Sequence, residues 1–400
     1  MTSQLRVMSI YEGFFSGGAR ALHTTVVAGL HTGGGHHHSV LSIYGAMRRE
    51  TILQRMEDDA SYRSLSAIGV EVRSLGRRIG GDTGARKTFS PSEVATAFAH
   101  AERADIVLSL KEQPLRLANL PGFPRKPVVV CLHRSDPQNQ GSALHDFRTA
   151  VADGRVAAAI CCAESTRDAY AAAGIPSGLL KVVPNGVDLT RFQPVAARRR
   201  AALRRALGVP ARAEVVTLAA RYDPMKNVPL FLASARRYLE RNPHGHVLMC
   251  GAGMTTANQE LCGLLNDLFD DEPRHLARLH LLGIRRDMEA VYAATDVVAL
   301  TSASGEAAPL CLIEGAMCGA VPVSTDVGDT PVIVAGHGLI TAPDPEAISA
   351  AWSEAVARRD EFAPRLLASR ERFSHTQMIA SYARVIESAH RDAGLRVGLR

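Results

Sequence analysis

Nowhere in its 400 residues does this chain carry an apolar run approaching the ~20 residues needed to cross a bilayer. Its opening, MTSQLRVMSI, is too short and too polar for a secretory leader. A cytoplasmic location is the expectation. Also missing is any C-x-x-C pair: the seven cysteines, at 131, 161, 162, 250, 262, 311 and 318, are odd in number and scattered through apolar stretches. That pattern argues against a disulfide framework or a zinc site and for small buried thiols. Lysine is scarce, occurring only at 87, 111, 126, 181 and 226 among 46 basic residues. A single lysine therefore carries more information here than an arginine cluster does.

What is present is the balance of a folded chain, with 46% hydrophobic and 22% charged residues. The length allows two or three domains, each able to bury its own core. A formal charge of +6 suits an anionic partner, but nucleotide sugars, nucleic acids and anionic lipids would all satisfy it.

Short apolar segments alternate with longer helical ones, the pattern of βαβ units around parallel sheets. In the first half RVMSI (6–10), HSVLSI (38–43), VEVRSL (70–75), DIVLSL (105–110), PVVVCLH (127–133) and AAICCA (158–163) read as strands. After Pro194 the series restarts with EVVTLAARY (214–222), HVLMCGAG (246–253), LHLLG (279–283), DVVALTS (296–302) and VPVSTD (321–326). The pattern implies an α/β protein of two domains, 1–194 and 195–375, with an amphipathic last helix in 376–400. GRRIGGDTGARKTFS (76–90) reads as a loop. The arginine-rich AARRRAALRRALG (196–208) reads as a helix closed by Gly208, with a solvated face or, as the sharper alternative, an anionic membrane contact.

The most specific feature is SASGEAAPLCLIEGAMCGAVPVSTD, directly after the strand DVVALTS. Pro309 at a first helical position places a helix N-terminus just after Glu306, a natural seat for phosphate because the N–H groups there lack helical partners. Glu306 falls in the loop and Glu314 about two turns into the helix. Two carboxylates flanking a phosphate seat suit a ligand with hydroxyls at both ends. Glu314 also interrupts the apolar run LCLI, and a buried carboxylate must be hydrogen-bonded or paired. In AARYDPMKN, Arg221 and Lys226 come after a strand, at the end where open α/β sheets bind ligands, and could neutralise a diphosphate. Gly17 and Gly18 in FFSGGAR open a helix after the first strand, and His133 closes the strand VVVCLH; each has an ordinary structural reading as well. His36, His37 and His38 are consecutive on a strand and point to alternate faces, which argues against a metal site. GAGM after HVLMC lacks the third glycine of a dinucleotide fingerprint.

In this order FFSGGAR, VVPNGVDLTRFQP, AARYDPMKN and the pair Glu306 and Glu314 resemble the retaining glycosyltransferases of family 4 (group 1), over nearly the whole chain. The resemblance implies the GT-B fold, two Rossmann-like domains with parallel sheets facing across a cleft, the first mainly for the acceptor and the second for the donor. It implies a last helix crossing back to the first domain. By the same resemblance Arg221 and Lys226 bind the donor diphosphate, Glu314 the ribose and Glu306 the transferred sugar, with Leu310 beside the donor. His133 lies near the sugar, and Gly17 and Gly18 near the phosphates. Glu306, His133, Arg221 and Lys226 are the catalytic set. No cofactor or metal is implied; a UDP- or GDP-sugar is the donor, and a small-molecule, glycan or lipid hydroxyl the acceptor. Nucleic acid is not an expected partner, while peripheral membrane contact is compatible with the basic segments. The chain departs from the family in Ala307, Ala308 and Pro309, where a glycine and an aromatic are frequent, and in Val327 to Thr330. A sugar-nucleotide epimerase, a non-catalytic nucleotide-sugar binder and an NAD-dependent oxidoreductase are the competing readings.

Overall fold

The computed structural model describes residues 4–15, 17–49, 52–79 and 88–397. The chain divides into two compact units, Met1–Asn185 with His375–Arg400, and Gly186–Ser374. The division falls ahead of the 194/195 boundary read from the sequence because VDLTRFQP is tied to the last residues of the second unit. Val187 donates its N–H to Phe373 O (2.8 Å), and Arg370 donates to the carbonyls of Leu189 (2.6 Å) and Phe192 (3.1 Å).

Eight strands make the first unit's sheet: β1 (Leu5–Gly13), β2 (His36–Arg49), β3 (Ile52–Arg55), β4 (Glu71–Ile79), β5 (Ile106–Leu110), β6 (Val128–Leu132), β7 (Val156–Cys161) and β8 (Leu180–Val182). Their order is β3-β2-β1-β5-β6-β7-β8, with β4 also paired to β2. Among the described residues, only β2 with β3 is antiparallel in this sheet. IVLSL and VVVCL, the sequences of β5 and β6, are buried at every position, as expected of central parallel strands covered on both faces. On β2, His36 and His38 turn inward and His37 faces solvent. The last helix, His375–Val397, belongs to this unit. Its Met378, Tyr382, Ile386 and Ala389 are buried at helical spacing, and Ile379 occupies the space that a side chain at Gly29 of the helix Gly18–Thr32 would need.

The second unit's sheet is parallel throughout, with β9 (Glu214–Ala219), β10 (Gly245–Cys250), β11 (Leu279–Gly283), β12 (Val297–Leu300), β13 (Val321–Thr325) and β14 (Leu339–Thr341) in the order β11-β10-β9-β12-β13-β14. Chain order reverses between β9 and β12. A crevice outside the carboxyl ends of those two strands is where such sheets take ligands. Trp352 anchors one face, its ring centroid 5.2 Å from that of Phe231 and 5.9 Å from that of Tyr238.

Two readings from the sequence change. Gly76 to Ile79 continue β4 along β2 rather than opening a loop, and residues 80–87 of that expected loop lie outside the described residues. The arginine-rich helix, Ala197–Ala206, is followed by Gly208 in the left-handed region (φ +76°), but its face is only partly solvated. Arg200 and Arg204 turn inward and both donate to Asp296 at 2.6 Å, which also accepts from Val215 N (2.8 Å). Arg198, Arg199 and Arg205 remain exposed. Among the described residues no helix is long and apolar enough to cross a membrane.

Candidate active site

The loops leaving β9 and β12 are stitched together. In RYDPMKN, Asp223 accepts from Met225 N (3.0 Å) and Pro224 opens a single 3-10 turn ending at Lys226. Asn227 then adopts a left-handed conformation (φ +49°) and caps the helix Val228–Arg241. From the other loop, Thr301 Oγ1 donates to Lys226 O (3.1 Å) and Ala303 N to Met225 O (2.9 Å). This frame fixes Lys226 so that its ammonium meets Glu306 Oε1, which also accepts from Ser302 Oγ at 2.7 Å. Glu306 is 8% exposed, so the pair is largely shielded from water and its attraction little screened.

Two glycines make these loops fit. A Cβ on Gly251 would come within 1.9 Å of Ala220 O, and one on Gly328 within 2.2 Å of Glu306 O; both residues have positive φ (+139° and +60°). The GAGM glycine thus serves close approach to the β9 loop. Gly328 begins a brace after β13, completed by Asp329 N donating to Ala307 O (2.8 Å).

The helix Leu310–Met317 starts one residue later than expected, with Pro309 at its N-cap and no side chain capping it. Its first N–H groups face the same loop as the Lys226–Glu306 pair, and the positive end of the helix dipole adds to the lysine's charge. Leu310 is the first helical residue. Glu314 is the fifth, so it lies about one turn in rather than two. Burial pushes its carboxyl up to about 7, against the opposing influence of a hydrogen bond from Tyr292 and the charge of Arg191. Arg191 is itself held by Glu289 (2.6 and 2.8 Å).

Arg221 stands apart from that pair. Its side chain is 54% exposed and its one ion pair among the described residues is with Asp223, at 3.4 Å, leaving the guanidinium free to reorient toward an anion. Next to the site, a cavity of about 370 Å³ is lined by Ser302, Thr325, Asp326 and Thr341 among others. Asp326 is its exposed carboxylate, while the hydroxyls of Ser302 and Thr325 donate to Glu306 and to Ser302 O.

In the first unit, His133 comes directly after β6, and its imidazole is pushed down to about 3 by burial and then by the charge of Lys111. It is neutral at ordinary pH and a poor proton acceptor. Gly17 precedes the helix Gly18–Thr32 with extended backbone (φ 170°), and a Cβ there would meet nothing within 4 Å among the described residues. Neither its backbone nor its packing within the protein requires glycine; space for a ligand is what its smallness leaves. The sequence reading missed Ser302, Tyr292, Thr301 and Gly328. Ser302 stands at the carboxyl end of a strand and was legible on that ground, whereas Tyr292 reaches Glu314 only through helix packing.

The two halves of the chain match family models in order: Glycosyltransferase Family 4 over residues 51–191 and Glycosyl transferases group 1 over residues 213–358. The D-inositol 3-phosphate glycosyltransferase of Corynebacterium jeikeium is 30% identical over 186 residues, 45% of this chain and 43% of that protein. That of Saccharomonospora viridis is 34% identical over 189 residues, 45% and 41% of the respective chains. The match thus spans less than half the length of these curated relatives. Among solved structures, Anabaena Alr3699/HepE in complex with UDP-glucose superposes with a TM-score of 0.77 at 19% identity, covering 96% of this chain and 100% of that one. WaaG, a glycosyltransferase involved in lipopolysaccharide biosynthesis, gives 0.67 at 14%, covering 96% and 99%. The architecture is that of the GT-B glycosyltransferases, and with each half matched by a model of the same group the chain belongs to the glycosyltransferases of family 4, group 1.

Proposed function

We propose that the protein transfers a sugar, with retention of anomeric configuration, from a nucleotide-diphosphate donor to a hydroxyl acceptor. The observation that carries this reading is the shielded contact of Lys226 with Glu306 beside an uncapped helix N-terminus, at the reversal point of the second sheet. A diphosphate entering there exchanges the lysine's carboxylate partner for phosphate oxygens and gains the helix N–H groups and the mobile Arg221. Glu306, released from Lys226, accepts hydrogen bonds from the hydroxyls of the transferred sugar. Glu314 takes the ribose hydroxyls, and Leu310 packs beside them. As the glycosidic bond breaks, charge accumulates on the departing diphosphate, where Lys226 and Arg221 stabilise it without reorganisation of solvent.

Retention is proposed on the resemblance of FFSGGAR, AARYDPMKN and the Glu306 and Glu314 pair to the retaining enzymes of family 4, with Glu306 as a sugar-binding carboxylate and not a covalent nucleophile. The departing phosphate then takes the acceptor's proton on the face it leaves. His133, neutral in its buried setting, orients a hydroxyl and does not act as a general base. No metal is needed in this scheme, since the cations and helix N-terminus serve the diphosphate. The UDP-glucose complex of the Anabaena protein supports extending the proposal to hexosyl transfer from a UDP-sugar, with a GDP-sugar as the alternative donor. Outward Arg198, Arg199 and Arg205 support peripheral contact of a cytoplasmic enzyme with an anionic membrane.

The test is a thermal-shift screen over UDP-, GDP- and dTDP-sugars, with turnover assays on the donor that binds. A ligand selective for the native state raises the apparent Tm by mass action. One donor should do so for the wild type and fail to do so for Lys226→Met. Absence of any donor effect, or an unchanged response in Lys226→Met, refutes the reading.

A further inference from the structure

Lys111 comes directly after β5, at the reversal point of the first unit's sheet, where β5 lies beside β1. It is one of two non-glycine residues with positive φ among the described residues, at +67°. The backbone is clamped there from both sides: Lys111 N donates to Cys131 O (3.0 Å), and its carbonyl accepts from Ser109 Oγ (2.8 Å). Left-handed lysine is disfavoured by its Cβ, and strained residues of this kind persist where surrounding structure holds them, often at ligand sites. The other residue, Asn227, is the joint beside Lys226 in the candidate donor site.

The charge that this backbone presents has no direct partner among the described residues. Burial lowers the ammonium's pKa, while Glu12 and Glu112 favour its charge and Arg134 and Arg20 oppose it. The neighbouring arginines are committed. Arg20 holds Asp59 (3.2 Å), and Arg134 holds Asp136 through two bonds of 2.6 and 2.7 Å. Glu112 compensates poorly, since burial pushes its carboxyl up to about 7 and Gln140 fixes it at 2.9 Å. Beside them His133 Nε2 is shut off from solvent with no hydrogen-bond partner among the described residues. A part-buried ammonium, an unsatisfied imidazole nitrogen and a glycine with open space at Gly17 therefore stand around the carboxyl ends of β1, β5 and β6.

We propose that Lys111 anchors an oxyanion, a phosphate ester or carboxylate, carried by the acceptor, so that the acceptor of this enzyme is an acidic molecule. The proposal rests on the reading of the first unit as the acceptor side of a glycosyltransferase. An incoming oxyanion would supply the contact that the ammonium lacks, and the fixed left-handed backbone sets where it is held.

With only five lysines in the chain, lysine-selective ¹³Cε NMR of the full-length protein can follow each ammonium separately, with Lys111→Arg and Lys226→Met assigning two of the signals. The Lys111 signal should shift saturably with millimolar inorganic phosphate or acetate at constant ionic strength, and not with chloride. Preference for phosphate identifies an ester and preference for acetate a carboxylate. Phosphate-dependent thermal stabilisation, measured in the Lys226→Met background to silence the donor cations, should need at least ten-fold more anion in Lys111→Met and be retained in Lys111→Arg. A Lys111 signal that tracks ionic strength alone overturns the proposal. If Lys226 responds to nucleotide sugars while Lys111 ignores every anion, the donor reading stands and this one falls; the converse leaves the anion site and removes the donor site.

Discussion

Replacing Glu314 by glutamine should stabilise the second unit at alkaline pH while weakening donor binding. Burial holds the Glu314 carboxyl at about 7, whereas in the unfolded chain it ionises near the ordinary value of 4.5. Between those values the native state keeps a proton that the unfolded state has lost, so stability falls as pH rises through this window and levels off above about 8. At 1.36 kcal/mol per pKa unit the loss is about 3 kcal/mol, an upper bound because the side chain keeps some contact with solvent. Glutamine, close in shape to the protonated acid, carries no such penalty. Wild type and variant should therefore unfold at similar temperatures at pH 5. By pH 9 the variant should lead by as much as roughly 6–12 °C, at 2–4 °C per kcal/mol for a domain of this size. Glu112 in the first unit is raised for the same reason and lowers the wild-type Tm too, so only the difference between the two proteins isolates Glu314. Calorimetry at pH 5, 7 and 9 decides it. A Tm difference that does not change with pH refutes the account of Glu314 as a carboxyl buried in wait for a ligand. The amide replaces one acceptor by donors, so nucleotide-sugar affinity should fall about ten-fold even where the variant is the more stable protein.

Lys226→Met and Glu306→Gln should each destabilise the second unit by about 3–5 kcal/mol, because each strands a shielded group, and the double variant should be milder than either; urea titration measures all three. Their kcat/KM should drop by about 10²–10³ singly and jointly, so restored stability without restored rate separates fold from chemistry. Asp296→Ala leaves Arg200 and Arg204 without their carboxylate and Val215 N without its acceptor, and should cost about 3–5 kcal/mol in denaturant melts with unchanged KM for donor. Gly328→Ala places a methyl group on the Glu306 carbonyl at a positive φ, and should raise the donor Kd by about an order of magnitude while the first unit melts normally; an unaltered Kd by calorimetric titration removes the brace from the mechanism.

The strands that stand out most plainly in the sequence are those covered on both faces, although the part-exposed β4 and the edge strand β11 were legible too, in VEVRSL and LHLLG. IVLSL, VVVCL, VVAL and VPVST are short apolar runs bounded by polar or turn residues, a pattern that physical burial dictates. The three missed strands, β3, β8 and β14, are sheet edges of three or four residues. An edge strand is paired on one side only, so its sequence need not be apolar enough to show. The misread start of the 76–90 loop has a related cause. Gly76 and the charged residues after it resemble a turn, yet β2 is long enough to pair Arg77, Arg78 and Ile79 through a register shift.

The candidate site divides along the same line between local and distant causes. Glu306, Leu310 and Glu314 share a loop and its helix, so their spacing alone places them, and Asp223-Pro-Met-Lys-Asn encodes its own turn. What spacing cannot give is the tie between the two loops. Lys226 and Glu306 are 80 positions apart and meet only because β12 lies beside β9, a consequence of sheet order rather than of either motif. The first unit shows the harder case. His133 was visible as the end of a strand, but Lys111, one strand over, gave no motif. Its left-handed backbone and unpartnered charge emerge only once β5 is set between β1 and β6. Scarcity was the one signal available: in a chain with five lysines among 46 basic residues, a lysine in the segment that leaves a central strand in each unit, 111 after β5 and 226 after β9, stands out from the arginines around it.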